Sequence, residues 1–290
     1  MSRLGKGFAA AVLCGVLAPA TAQATVTVGS SLTNATNLGG THPNPLVWVQ
    51  DVVHPFPVGY RQASPVNGTV VLWRTRGTRM NASSNTLQLR VLQPSGNGYI
   101  GAGTSDPQTL PNAADDDALR EFGTSLPIHA GDEIGLGAAG SAYVPAFHPP
   151  FGAPGITGFY AFSDGSPSDG HAAASSGELQ ANAEVEPTNT FSLSPIQRNK
   201  KNGTATVTAN LPNAGTFEVQ GGLIAPQTVD VAAPGNLALT LQPMPPIRRQ
   251  LKKQGKALVD ATFVYAPSFG KHRAQSVTFT LKQKRKKKRR

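Results

Sequence analysis

Side chains able to do chemistry are sparse in this chain. The six histidines, at positions 42, 54, 129, 148, 171 and 272, are scattered and mostly sit beside proline or glycine. No G-x-S-x-G elbow, H-E-x-x-H pair or paired-cysteine spacing occurs. A Ser-His-Asp triad has no fixed spacing to search for, but scattered loop histidines read first as solvated groups. Paired carboxylates could run acid–base chemistry, as in glycoside hydrolysis. Asp132 and Glu133 are adjacent, however, so a strand sends them to opposite faces. Asp115, Asp116 and Asp117 form a tighter group in what reads as a loop. Such a cluster suits calcium, which takes roughly six to eight oxygen ligands at flexible distances. Asp164 and Asp169, in a second acidic loop, could contribute to it. Neither loop matches an EF-hand, and the competing reading is solubilising turn residues.

Aromatic rings offer a different chemistry. Tyr143, Phe147, Phe151, Phe159, Tyr160 and Phe162 lie among Pro145, Pro149, Pro150 and Pro154. Rings on a stiffened loop can stack on sugars or fill a partner's pocket, and Tyr143, Phe147, Phe151 and Tyr160 are the candidate contacts. The alternative is that they close one end of a sandwich core. Trp48 and Trp73 sit in strand-like runs and read as core.

The plainest chemistry is charge. Lys282, Lys284, Arg285, Lys286, Lys287, Lys288, Arg289 and Arg290 supply eight cations within the last nine residues. Self-repulsion and the lack of apolar residues predict disorder there. Each cation close to an anionic surface contributes on the order of 1 kcal/mol, screened within a Debye length. This tail would therefore hold the protein at an anionic envelope polymer or lipid surface. It would also bind nucleic acid, but without sequence specificity.

The net charge of +10 hides a division. Residues 25–186 hold six arginines, no lysine and 13 acids, giving 6 − 13 = −7. Residues 187–290 hold 18 basic and three acidic side chains, giving 18 − 3 = +15. That contrast argues for two domains with different surfaces, which opposite charge could also dock on each other.

Arg3 and Lys6, then the apolar run Phe8–Leu17, then Ala22-Gln23-Ala24 have the order of a secretory signal peptide, with Thr25 as the mature start. Cys14, the single cysteine, lies inside that segment, so the mature protein is expected to lack disulfides and thiolate metal sites. No second apolar stretch is long enough to span a bilayer.

The elements that must position these groups are strands. Candidates in the first half are Leu46–Val49, Thr69–Arg74, Thr86–Leu92, Tyr99–Thr104, Glu133–Leu136, Ile156–Phe162 and Leu179–Val185. In Thr86–Leu92, Leu87, Leu89 and Val91 alternate with Gln88 and Arg90, which predicts a half-buried strand. No stretch of a dozen residues carries a convincing helical stripe. The second half predicts seven strands: Phe191–Leu193, Thr204–Asn210, Thr216–Gln220, Thr228–Val231, Leu237–Leu241, Ala257–Tyr265 and Ser276–Leu281. In the sixth, Ala257, Val259, Ala261, Phe263 and Tyr265 should face inward.

Three stretches carry a resemblance: Ser64–Arg74 (SPVNGTVVLWR), Leu126–Leu136 (LPIHAGDEIGL) and Arg198–Ala205 (RNKKNGTA), the last followed by a Pro-rich segment, a lysine-rich hairpin and the basic tail. In these the chain resembles uncharacterised secreted two-domain β-sandwich proteins of high-GC soil actinobacteria. The shared motifs are turns, so the resemblance implies a fold and an address and no activity.

The expectation is an all-β chain. A signal peptide (1–24) precedes an acidic jelly-roll-like antiparallel sandwich (25–186), a smaller basic immunoglobulin-like sandwich (187–281) and a polybasic tail (282–290). It would be secreted or envelope-associated and non-catalytic. It would need no cofactor beyond a structural calcium at Asp115–Asp117. Its partners would be an anionic envelope surface and, as alternatives, carbohydrate or non-specifically bound nucleic acid.

Overall fold

A computed structural model describes residues 25–34, 45–50, 59–78, 86–110, 116–138, 146–147, 155–168 and 170–284. The expected signal peptide, Tyr143, Phe151, Asp115, Asp169 and tail residues 285–290 lie outside them. Over the described residues the protein is all-β, built from antiparallel sheets with one short helix, as the alternation predicts.

Two sheets enclose the first core. One has four strands in the order Val26–Gly29, Ala181–Pro187, Gly68–Thr78 and Asp116–Ile128. The other runs His171–Ser176, Gly155–Tyr160, Leu46–Gln50, Glu133–Ala138, Thr86–Ser95 and Gly98–Thr104. Between them pack Trp48, Trp73, Leu87, Leu89, Val91 and Leu136, so both tryptophans are core, as expected. Burial of such side chains contributes about 1.5–3 kcal/mol each.

Two expectations about these strands fail. Thr86–Leu92 was expected to be half-buried, but Arg90 and Leu92 on its second face are covered as well as Leu87, Leu89 and Val91. Asp116 and Asp117 open a 13-residue strand where a loop was expected, because tertiary pairing with Gly68–Thr78 carries the acidic segment into the sheet.

The cause of the double burial is curl. Tyr99, on one edge strand, meets Phe159 with ring centroids 5.4 Å apart, although four strand-to-strand steps separate their strands within the sheet. The segment after Gly155–Tyr160 then pairs back onto that edge. Gly165 N–H donates to the Gly101 carbonyl at 2.7 Å, and Ser168 N–H to the Tyr99 carbonyl at 2.7 Å. The sheet thus rolls up on itself, and Val47, Val49, Leu92 and Phe159 fill the roll. Glycine permits this closure: a Cβ on Gly101 would stand 2.8 Å from the Ser163 carbonyl oxygen and 3.0 Å from the Asp164 Cα.

Residues 191–281 form a second core. On one side, Thr204–Leu211 lies between Gly235–Leu241 and an edge made of Ser192–Leu193 and Gln197–Asn199. Pro195 lacks a donor and interrupts that edge, and the Ser194 hydroxyl oxygen accepts the Thr208 N–H at 2.9 Å beside it. The facing sheet runs Gln227–Val231, Gly215–Gln220, Lys256–Pro267 and Arg273–Lys282. Ala257, Val259, Ala261, Phe263 and Tyr265 all point into the core, as the period-2 pattern predicts.

The helix Pro245–Gln254 is one of the elements sequence reasoning passed over, as are the strands Val26–Gly29, Asp116–Ile128 and His171–Ser176. Its signals are short but physical. Proline occupies the first turn, Ile247 and Leu251 are buried one turn apart, Lys252 and Lys253 end it, and Gly255 caps it at φ 77°.

Candidate functional site

Two places concentrate polar chemistry. The first is the pole of the second sandwich that carries the turn Asn199–Gly203, the helix C-terminus and the end of the last strand. Lys284 N–H donates to the Lys200 carbonyl at 2.8 Å, and Gln283 N–H to the Gly255 carbonyl at 2.9 Å. Within the turn, the Asn199 side-chain oxygen accepts from Lys201 N–H at 3.0 Å and from Asn202 N–H at 3.2 Å. Three segments distant in sequence are thereby tied together, and with them Lys200, Lys201, Lys252, Lys253, Lys256, Lys282 and Lys284. Arg198 joins from the neighbouring edge strand, its Nε donating to the Thr280 carbonyl at 2.8 Å.

A cleft of about 540 Å³ opens here, lined by Arg198, Asn199, Lys200, Lys201, Thr206 and Lys284 among others. Of the tail cations expected to contact an anionic surface, Lys282 and Lys284 belong to this folded frame, while 285–290 lie outside the described residues. Lys282 also stands directly opposite Lys256 in the strand register. Among the described residues the ion pairs of the structure lie elsewhere: Arg74 with Glu121 and Glu184, Arg76 with Asp117, Arg90 with Asp164, and His129 with Asp132.

The second place is the mouth of the rolled sheet. Glu133, 8% exposed, accepts from Gln62 Nε2 and from the Tyr99 hydroxyl, each at 2.9 Å. Glu178, also buried, accepts from Ser30 Oγ at 2.5 Å and Asn34 Nδ2 at 2.9 Å. Between these groups burial pushes the Tyr60 phenol well above the usual tyrosine range, and Glu133, Glu178 and Tyr99 push it further. Adjoining clefts of about 250 and 370 Å³ share Asn97, Gly98, Tyr99 and Phe159.

Deeper in the roll, Arg90 lies over Gly137, donates to the Phe162 carbonyl at 2.9 Å and pairs with Asp164 at 3.0 Å. Its pKa is lowered by burial, and Asp164 opposes that shift.

Of the sequence-derived aromatic site, only Tyr160 has a described side chain. Tyr160 is 47% exposed at a strand end, Phe147 lies in the two-residue strand Ala146–Phe147, and Tyr143 and Phe151 lie outside the described residues. Phe159 is inside the roll, and the half-buried Phe162 packs against it. Of the proposed calcium ligands, Asp117 pairs with Arg76 at 2.9 Å and Asp164 with Arg90, and among the described residues no cluster of three or more His, Cys, Asp or Glu has metal-binding geometry. Asp132 caps the Ala130–Gly131 turn, its carboxylate accepting from His129 N–H at 2.8 Å. Sequence reasoning missed Tyr60, Tyr99 and Glu133 as a group, because only the roll brings positions 60, 99 and 133 together.

Among the described residues no helix is long and apolar enough to cross a membrane. Compared with known proteins, the chain matches no family model and no curated protein.

Proposed function

We propose that this chain is an exported, non-catalytic binding protein held at an anionic cell-envelope surface by its basic C-terminal half. The single observation that carries the reading is the gathering of lysines from three segments onto one pole of the second sandwich. Lys256 and Lys282 stand at one end of their strand pair, and Tyr265, which bonds the junction residue Asn213, stands at the other.

The finer architecture is a jelly-roll-like sandwich followed by an immunoglobulin-like one. Strand order supports both. With the two-residue strands and the pair Gly155–Tyr160 and His171–Ser176 set aside, the eight remaining strands of the first half, numbered in chain order, read 1-8-3-6 facing 2-7-4-5, the arrangement of two interlocked Greek keys. The second half places the first, second and fifth strands opposite the fourth, third, sixth and seventh, and that supports the immunoglobulin-like reading.

The test is binding of the purified chain to isolated bacterial envelopes across a salt series. Retention at low salt and release at high salt is the expected result. Failure to bind at low salt ends the proposal.

A second reading, carbohydrate binding, is favoured by the clefts beside Tyr99, Phe159 and Glu133. It expects a glycan-array signal that Tyr99→Ala abolishes and pole substitutions leave intact.

A further inference from the structure

The pole carries a structural cost that its own fold does not offset. Lys256 and Lys282 are direct cross-strand partners in an antiparallel ladder, and like charges so placed destabilise a sheet. Lys200, Lys201 and Lys284 crowd the same end, held there by main-chain bonds. Lys252 and Lys253 gain from the helix C-terminus, but the other five have no such compensation. Among the described residues none of the seven lysines meets a carboxylate. An arrangement like this is relieved when an anion supplies the missing charge.

Lysine is a strong phosphate ligand acting as a point charge, and Asn199 and Thr206 add neutral polar groups to the cleft. The cations spread over three segments, so they suit a ligand with repeated charges. Among the described residues no aromatic side chain lines the cleft to serve as a platform for stacking bases.

We propose that this folded pole, rather than the tail beyond it, binds a flexible phosphodiester polymer that carries no bases, such as a polyol-phosphate chain. The inference rests on the retention reading and assigns that reading a site and a ligand chemistry.

The experiment uses the full chain in three forms: unaltered, pole-neutralised (Lys200→Gln, Lys201→Gln, Lys256→Gln, Lys282→Gln) and tail-neutralised (Arg285, Lys286, Lys287, Lys288, Arg289 and Arg290 each to Gln). Each is titrated with poly(glycerol phosphate), poly-L-glutamate and single-stranded DNA of matched charge, and its melting temperature is recorded with and without polymer. The pole-neutralised form should lose roughly fivefold in affinity for poly(glycerol phosphate) per lysine removed. The tail-neutralised form should lose less than the pole-neutralised one. The polymer should raise the melting temperature of the unaltered and tail-neutralised forms, and raise that of the pole-neutralised form little.

Loss of binding in the tail-neutralised form alone overturns the proposal. So does DNA or poly-L-glutamate binding as tightly as poly(glycerol phosphate). Tight polymer binding without binding to whole envelopes would instead count against retention and leave the site assignment standing.

Discussion

Asn67 and Asn213 join the two sandwiches by exchanging hydrogen bonds between the main chain of one and the side chain of the other. Asn67 N–H donates to Asn213 Oδ1 at 2.7 Å, and Asn213 Nδ2 returns a bond to the Asn67 carbonyl at 3.2 Å. The Asn213 amide thus imitates a neighbouring strand. The same two residues organise the rest of the junction. Asn213 Nδ2 also donates to the Thr188 carbonyl at 2.7 Å, Asn67 Nδ2 to the Pro212 carbonyl at 2.6 Å, and the buried Tyr265 hydroxyl to the Asn213 carbonyl at 2.7 Å. Phe269 reaches from the second half to pack on the first core, with Arg61 over its ring at 5.8 Å. Opposite net charge suggested electrostatic docking, but these junction bonds are made by neutral amides.

Asn213→Ala should therefore cost about 1–3 kcal/mol, because it takes the Asn213 amide from the Asn67 N–H and the Thr188 carbonyl in a site that is 2% exposed, while the Asn67 carbonyl keeps the Thr188 N–H at 2.9 Å. Urea unfolding checks this, and the junction should be insensitive to salt while envelope binding is not. A variant as stable as the parent would remove Asn213 from this role.

Gly101→Val should open the roll. Its side chain would press on the Asp164 backbone and on Arg90 Nη2, 2.8 Å from a built Cβ. Overpacking of this kind typically costs about 1–3 kcal/mol. Hydrogen exchange should show lost protection at Gly165 and Ser168, whose amides bond to the edge strand, with the second sandwich unchanged.

Leu251→Ala tests the helix that supports the pole. Leu251 is 1% exposed, and removing a buried leucine side chain costs roughly 2–5 kcal/mol. Because the same helix carries Lys252 and Lys253, polyanion affinity should fall together with stability.

Alkaline pH should destabilise the fold through Tyr60. Its folded pKa is raised above the unfolded value of 10.0, so the folded state holds the proton more tightly. That contribution is complete below pH 10 and declines as pH rises from there toward the folded pKa. Tyr265, raised by burial, acts in the same direction. Stability measured against pH should fall above about pH 10, and Tyr60→Phe should flatten the decline. An unchanged slope in that variant would assign the effect elsewhere.

The sequence by itself determined the strands whose side chains alternate. Ala257–Tyr265 buries every second residue because a sandwich interior faces only one side of it, and local pattern then equals tertiary outcome. The charge division was equally legible, being a property of composition. Tertiary structure alone decided the rest. Thr86–Leu92 reads as half-buried, but the roll covers Arg90 and Leu92 on its second face, and no local pattern encodes closure between Gly101 and Gly165. The strand Asp116–Ile128 is hidden by its acidic start and forms because Gly68–Thr78 offers it a partner. The lysines of the pole lie at positions 200 to 284, and the group Tyr60, Tyr99 and Glu133 is equally dispersed. Proximity of this kind is set by long-range strand pairing, whose register depends on residues far along the chain.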